Sequence, residues 1–120
     1  MVLVDTSVWI EHLRQSSVAL TEKLTEGRVV CHPFVMGELA CGQLKNRSKI
    51  LGLLDNLPHA EVASHSEVLQ FIDAYQLMGR GLGYVDMHLL SSAALTAVPL
   101  WTLDKRLVEA ASRLNLAFIA

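Results

Sequence analysis

Short apolar runs alternate with amphipathic stretches along the whole chain. Val2-Leu3-Val4 stops abruptly at Asp5, and Val29-Val30-Cys31, Leu100-Trp101-Thr102-Leu103 and Ala117-Phe118-Ile119 are further brief runs rich in β-branched and aromatic residues. That is the pattern of buried strands, and Glu61-Val62-Ala63 is a fainter example of it.

The stretches between carry helical spacing. Asp5-Thr6-Ser7 can cap a short helix from about Val8, with Trp9, Ile10 and Leu13 as its apolar stripe. A second helix starts at Ser16 or Ser17, turns Val18, Leu20 and Leu24 inward, and stops at Gly27. Pro33 suits the first position of a third, in which Val35, Glu38, Leu39 and Gly42 share a face, so that Glu38 lies within the apolar stripe. Ile50 to Leu54 predicts a fourth, ending near Pro58. Ser64 and Glu67 have capping-box spacing before a fifth, with Val68, Leu69, Ile72 and Tyr75 continuing to about Met78. After the loop Gly79-Arg80-Gly81-Leu82-Gly83, a sixth helix spans Tyr84 to Thr96 with Asp86, Leu89, Leu90 and Ala93 on one face. A seventh, capped by Asp104, uses Leu107, Val108, Ala111 and Leu114. Such alternation predicts an α/β fold, a three-layer α/β/α sandwich around a mostly parallel sheet, as one domain over residues 1–120.

Composition adjusts this picture in two ways. With 52% hydrophobic and only 18% charged residues, and a mean hydropathy of +0.36, the chain has more apolar material than a core of 120 residues hides, so a dimer or a hydrophobic partner is expected. The net charge of −2 offers nucleic acid no general attraction, which confines any such binding to a local patch. Cys31 and Cys41 lack metal-ligand spacing and a disulfide framework. The start of the chain has no basic leader or cleavage site, and there is no apolar run of about 18 residues, so neither export nor a membrane span is indicated and a cytoplasmic location is expected.

Four acids stand out against this background. Asp5 and Asp104 end apolar strands, while Glu38 and Asp86 lie in apolar faces near helix starts. In a parallel sheet these junctions share one rim, where ligands bind in open α/β folds. Clustered carboxylates repel one another unless protons or a cation neutralise them. An all-oxygen donor set suits Mg2+ or Mn2+, which can polarise a phosphoryl oxygen and activate a water for phosphodiester hydrolysis. Three of the acids also have a simpler explanation, Asp5 and Asp104 as helix caps and Asp86 as an acid favoured by a helix dipole, whereas Glu38 is the hardest to explain in this way because an ionised residue is rarely buried without a partner.

Ser7 and Thr102 each lie two residues from one of these acids and are placed either to hydrogen-bond a carboxylate or to help cap a helix. Arg80, between two glycines, can reach a phosphate or solvate its loop. Lys45, Arg47 and Lys49 form the one basic cluster, read as a solvated helix end, while His88 reads as structural and Met36, Met78 and Met87 as core filler.

Four blocks together resemble the PIN-domain ribonucleases, most closely the VapC-type toxins of bacterial and archaeal toxin–antitoxin pairs. They are Val4-Asp5-Thr6-Ser7-Val8-Trp9-Ile10, Met36-Gly37-Glu38-Leu39, Asp86-Met87-His88-Leu89-Leu90-Ser91-Ser92-Ala93 and Leu100-Trp101-Thr102-Leu103-Asp104. The resemblance implies that Asp5, Glu38, Asp86 and Asp104 are the metal-binding quartet of a Mg2+- or Mn2+-dependent endoribonuclease, with Ser7 and Thr102 at accessory polar positions. It further implies a five-stranded sheet, a homodimer, an RNA substrate and neutralisation by a VapB-like antitoxin. His32 departs from the Ser or Thr helix cap more usual there.

Two other readings compete. In a phosphoacceptor receiver domain, Leu53 to Pro58 would be the phosphorylation-site strand, with Asp55 as acceptor and Lys105 as the late lysine, but only one acid then follows the first strand and Glu38 and Asp86 have no role. A PIN-like module that binds without cleaving would keep the fold alone.

Overall fold

The computed structural model describes residues 1–119. Its centre is β1 (Val2–Val4), flanked by β2 (Val29–Val30) and β3 (Leu100–Trp101), both parallel to it in the order β2-β1-β3. Val2 pairs with Val29 and Leu3 with Val30 on one side; Leu3 pairs with Leu100 and Val4 with Trp101 on the other. Successive strand residues face opposite ways, yet all three of β1 are buried, so both faces of the sheet are covered and the sandwich has three layers.

Among the described residues the regular sheet has three strands rather than five. Each outer strand carries one further parallel bridge, Cys31 with His59 and Leu100 with Ala117, which extends the order to five chain segments without lengthening the ladder. The faint strand expected at 61–63 is displaced: Pro58 and Ala60 make the main-chain bonds to Cys31, at 2.7 and 2.8 Å, while Glu61 N–H donates instead to Thr96 Oγ1. Pro58 needs only its carbonyl there, as a proline at a sheet edge can.

Among the described residues seven helices connect these strands: α1 (Thr6–Gln15), α2 (Val18–Thr25), α3 (Pro33–Ala40), α4 (Arg47–Asp55), α5 (His65–Tyr75), α6 (Tyr84–Thr96) and α7 (Lys105–Arg113). Several starts follow from the capping chemistry. Ser17 Oγ accepts from Leu20 N–H, and Ser64 and Glu67 form both bonds of their box. Gly27 adopts the left-handed conformation (φ 70°) that ends the α2 turn. His32 takes over the cap of α3, its Nδ1 accepting from Phe34 N–H at 3.0 Å.

Elsewhere the apolar pattern overstates what is buried. Val18 is 74% exposed, and Leu69, Tyr75 and Met78 are each about half exposed, because α2 and α5 lie on the outside of the sandwich and bury narrower stripes than their composition allows. Helix α5 also ends three residues early, at Tyr75, where Gln76 turns left-handed (φ 52°). By contrast α6 is buried without interruption from Met87 to Ala93, packed between sheet and α5. Leu3, Leu20, Leu89, Leu90, Leu100 and Leu107 are fully enclosed. Among the described residues no helix is long and apolar enough to cross a membrane.

Candidate active site

The backbone of Asp5 starts α1, its carbonyl accepting from Val8 and Trp9, but its side chain caps nothing. The carboxylate turns toward β3, where Oδ2 accepts from Ser7 Oγ (2.8 Å) and Thr102 Oγ1 (2.7 Å). The cap explanation of Asp5 therefore fails, and Ser7 and Thr102 are where hydrogen bonding to the acid requires. Thr102 Oγ1 also accepts from Asp104 N–H, and Ser7 Oγ from Leu103 N–H, so the same two hydroxyls tie the ends of β1 and β3 together.

Asp104 does cap α7: Oδ1 accepts from the Arg106 and Leu107 amides at 2.9 and 3.2 Å. Asp86, in the first turn of α6, accepts from Gly83 N–H through Oδ2 at 2.9 Å. Glu38 Oε1 accepts from Thr6 Oγ1 at 2.6 Å. Glu38 is not buried in the stripe of α3 as its position suggests. Val35 and Leu39 turn into the core, whereas Glu38 stands exposed at the edge of that stripe.

A common arrangement emerges. In each of the four carboxylates one oxygen is held by protein donors, and the other receives no hydrogen bond from the described residues. None of the four makes an ion pair with a described lysine, arginine or histidine. Burial raises the pKa of Asp86, the Gly83 amide opposes this, and the negative charges of Asp5, Asp104 and Glu38 raise it further. The negative charges of all three other acids thus act on Asp86.

The donor set fits a hard divalent cation. It is all oxygen, has free oxygens on four carboxylates and no resident counter-charge. Among the described residues no three acids, histidines or cysteines are close enough together to hold a metal ion between them. An open site of this kind matches Mg2+, which keeps several waters and is held by few carboxylates.

Arg80 does not join the acids. Its Nε donates to Gln76 O at 3.1 Å, and it lines a separate cleft with residues of α7. Arg47 is a helix-end residue as expected, bonded to Ala40 O, but it opens α4, so that Lys49 lies inside the helix and only Lys45 precedes it. His88 is structural too, with Nε2 on Tyr84 Oη at 2.9 Å. Thr6 is the site residue that sequence reasoning missed: it stands between two better candidates, and its partner is 32 residues away.

A parallel sheet with an acidic rim at the carboxyl ends of its central strands is the architecture of PIN domains, and residues 2–113 match the PIN domain family model. The chain belongs to that family. Ribonuclease VapC32 from each of two Mycobacterium tuberculosis strains is 49% identical over 118 residues, covering 98% of this chain and 95% of the relative, which marks the chain as VapC-type. The crystal structure of PAE2754 from Pyrobaculum aerophilum aligns with a TM-score of 0.61 over 91% of this chain and 78% of that one; at 17% identity it shows the shared fold alone. The receiver reading is overturned by this match and by Asp55, which is the last residue of helix α4 rather than the end of a strand.

Proposed function

We propose that this protein is a divalent-metal-dependent endoribonuclease that hydrolyses RNA phosphodiester bonds as the toxin of a type II toxin–antitoxin pair. The observation that carries the reading is the quartet of carboxylates, each anchored through one oxygen, open at the other, and lacking a balancing cation. The VapC-type relatives bear the name ribonuclease, which supports RNA as the substrate class.

In this mechanism Asp5, Glu38, Asp86 and Asp104 are the residues that would hold Mg2+ or Mn2+, with waters completing its shell. The bound ion supplies Lewis-acid polarisation of the phosphoryl group and a water of lowered pKa. Ser7 and Thr102 aim the Asp5 carboxylate, and Thr6 aims Glu38. Burial and the neighbouring negative charges raise the proton affinity of Asp86, so a bound cation would have to compete with a proton there.

The toxin role brings a VapB-like antitoxin as partner. A groove of about 750 Å³ between α1, α3 and α4, with Ile10, Leu13, Leu39 and Ile50 on its walls beside the charged Arg14, Glu38 and Lys45, supports it. A second groove of about 360 Å³ between α5 and α6, with Phe71, Tyr75 and Leu95 on its walls, supports self-association as a homodimer.

The test is cleavage of RNA by the purified chain with Mg2+, Mn2+ or chelator. Cleavage is expected only with metal, and is expected to vanish in Asp5→Asn and Glu38→Gln proteins that remain folded. Undiminished cleavage by Asp5→Asn would refute the site.

A further inference from the structure

Three arginines outside the acidic quartet converge on one cleft. Arg80 from the glycine loop and Arg106 and Arg113 from α7 line a cavity of about 240 Å³ with Gly79, Glu109 and Ala110. On α7, Arg106, Glu109, Ala110 and Arg113 fall at i, i+3, i+4 and i+7, which is a single face. Among the described residues none of the three arginines forms an ion pair, and Glu109 pairs with none of them.

The surrounding structure holds these groups in place. The Nε of Arg80 is anchored on Gln76 O, which leaves its terminal nitrogens free. Arg106 lies against the glycine loop: a Cβ at Gly81 would fall 2.7 Å from its Nη1, and Gly81 has φ 75°. Glycine there serves both the turn and the close approach of the guanidinium.

Three guanidinium groups gathered on a chain of net charge −2 make the local basic patch that the overall composition withholds. Their planar forks match phosphate oxygens, and their number exceeds what one carboxylate, Glu109, could balance. The face begins at Arg106, two residues beyond Asp104, and the loop that supplies Arg80 leads through Gly83 to Asp86. From Arg106 to Arg113 it runs about 10 Å along the helix, the length of about three stacked nucleotides.

We propose that this cleft is a phosphate track for single-stranded RNA, holding the strand's backbone beside the acidic quartet. The proposal rests on the endoribonuclease reading for its choice of ligand. Its contacts are to phosphate and therefore independent of base sequence.

The test uses the full chain carrying Glu38→Gln, so that RNA is not cut, and follows the anisotropy of a labelled oligouridine over a range of KCl concentrations. Adding R80Q, R106Q and R113Q together is expected to weaken binding and to flatten the log–log salt slope by about two, at about 0.7 for each phosphate no longer neutralised. The corresponding triple lysine variant keeps the charge and is expected to keep the slope. Lys49→Gln, outside the cleft, is expected to leave it unchanged. An unaltered slope in the triple glutamine variant, with circular dichroism showing it folded, would overturn the proposal. So would a triple variant that keeps oligouridine binding but loses binding of an oligoglutamate peptide, which would assign the cleft to an acidic protein partner. The slope reads the cleft whether or not the chain cuts RNA, so this test and the cleavage test fail independently.

Discussion

His32 links two of the acid-bearing helices, and its protonation should weaken both links at once. Its Nδ1 accepts from Phe34 N–H at the start of α3, which carries Glu38. Its Nε2 meets Ser92 Oγ of α6, which carries Asp86, at 3.0 Å. Since Nδ1 must be the acceptor, the hydrogen of the neutral ring sits on Nε2 and is donated to Ser92. A second proton would set N–H against N–H. The ring is wholly buried, and burial, with smaller contributions from the charges of His88 and His59, pushes its pKa from 6.5 down to about 4.

The sign follows from which state takes the proton. Above pH 6.5 both folded and unfolded chains hold His32 neutral, and nothing is lost. Below that, the unfolded chain binds a proton that the folded chain refuses until about pH 4. Stability falls by about 1.4 kcal/mol per pH unit across this window, a total of about 3 kcal/mol. Carboxylates titrate in the lower part of the same range, so the measurement is a difference. Urea unfolding of the metal-free protein and of His32→Asn, which keeps a cap acceptor but cannot titrate, is compared from pH 7.5 to pH 4. The parent is expected to lose about 3 kcal/mol more than the variant over that interval. Parallel curves would refute the buried neutral histidine.

Other expectations follow from the acids and their partners. Asp86 has a raised folded pKa, so its ionised form opposes folding at neutral pH. Asp86→Asn, which keeps the Gly83 bond, should raise the melting temperature of the metal-free protein at pH 7 and lose that advantage as pH falls below the ordinary aspartate range, as differential scanning calorimetry can check. Thr6→Val should weaken Mn2+ binding by about tenfold in calorimetric titration, and Thr6→Ser should restore it, because only the hydroxyl on Glu38 distinguishes them. Equal affinity in the two variants would show that Glu38 needs no aiming.

Much of the site was legible along the chain because its chemistry is punctuated by local signals. Asp5 and Asp104 interrupt apolar runs, Ser64 and Glu67 announce a helix start, and the segment Tyr84 to Thr96 coincides with α6 to the residue. Where the reading failed, the deciding partner was far away. Glu38 looked buried because Val35 and Leu39 beside it are, yet its side chain faces solvent and bonds Thr6 from α1. The edge pairing at 58–60 instead of 61–63 depends on which carbonyl reaches Cys31, not on β propensity.

Sequence alone thus determined the alternation of elements, the caps at Ser17, Ser64 and Asp104 and the choice of four candidate acids, since each depends on residues within a turn or two of one another. Only tertiary structure decided that Glu38 is tied to Thr6 and Asp5 to Thr102, and that three arginines from a loop and a helix share one cleft. The two carboxylate bonds join residues 32 and 97 positions apart, where no local pattern constrains the pairing, whereas the donors to Asp86 and Asp104 lie within three residues of them.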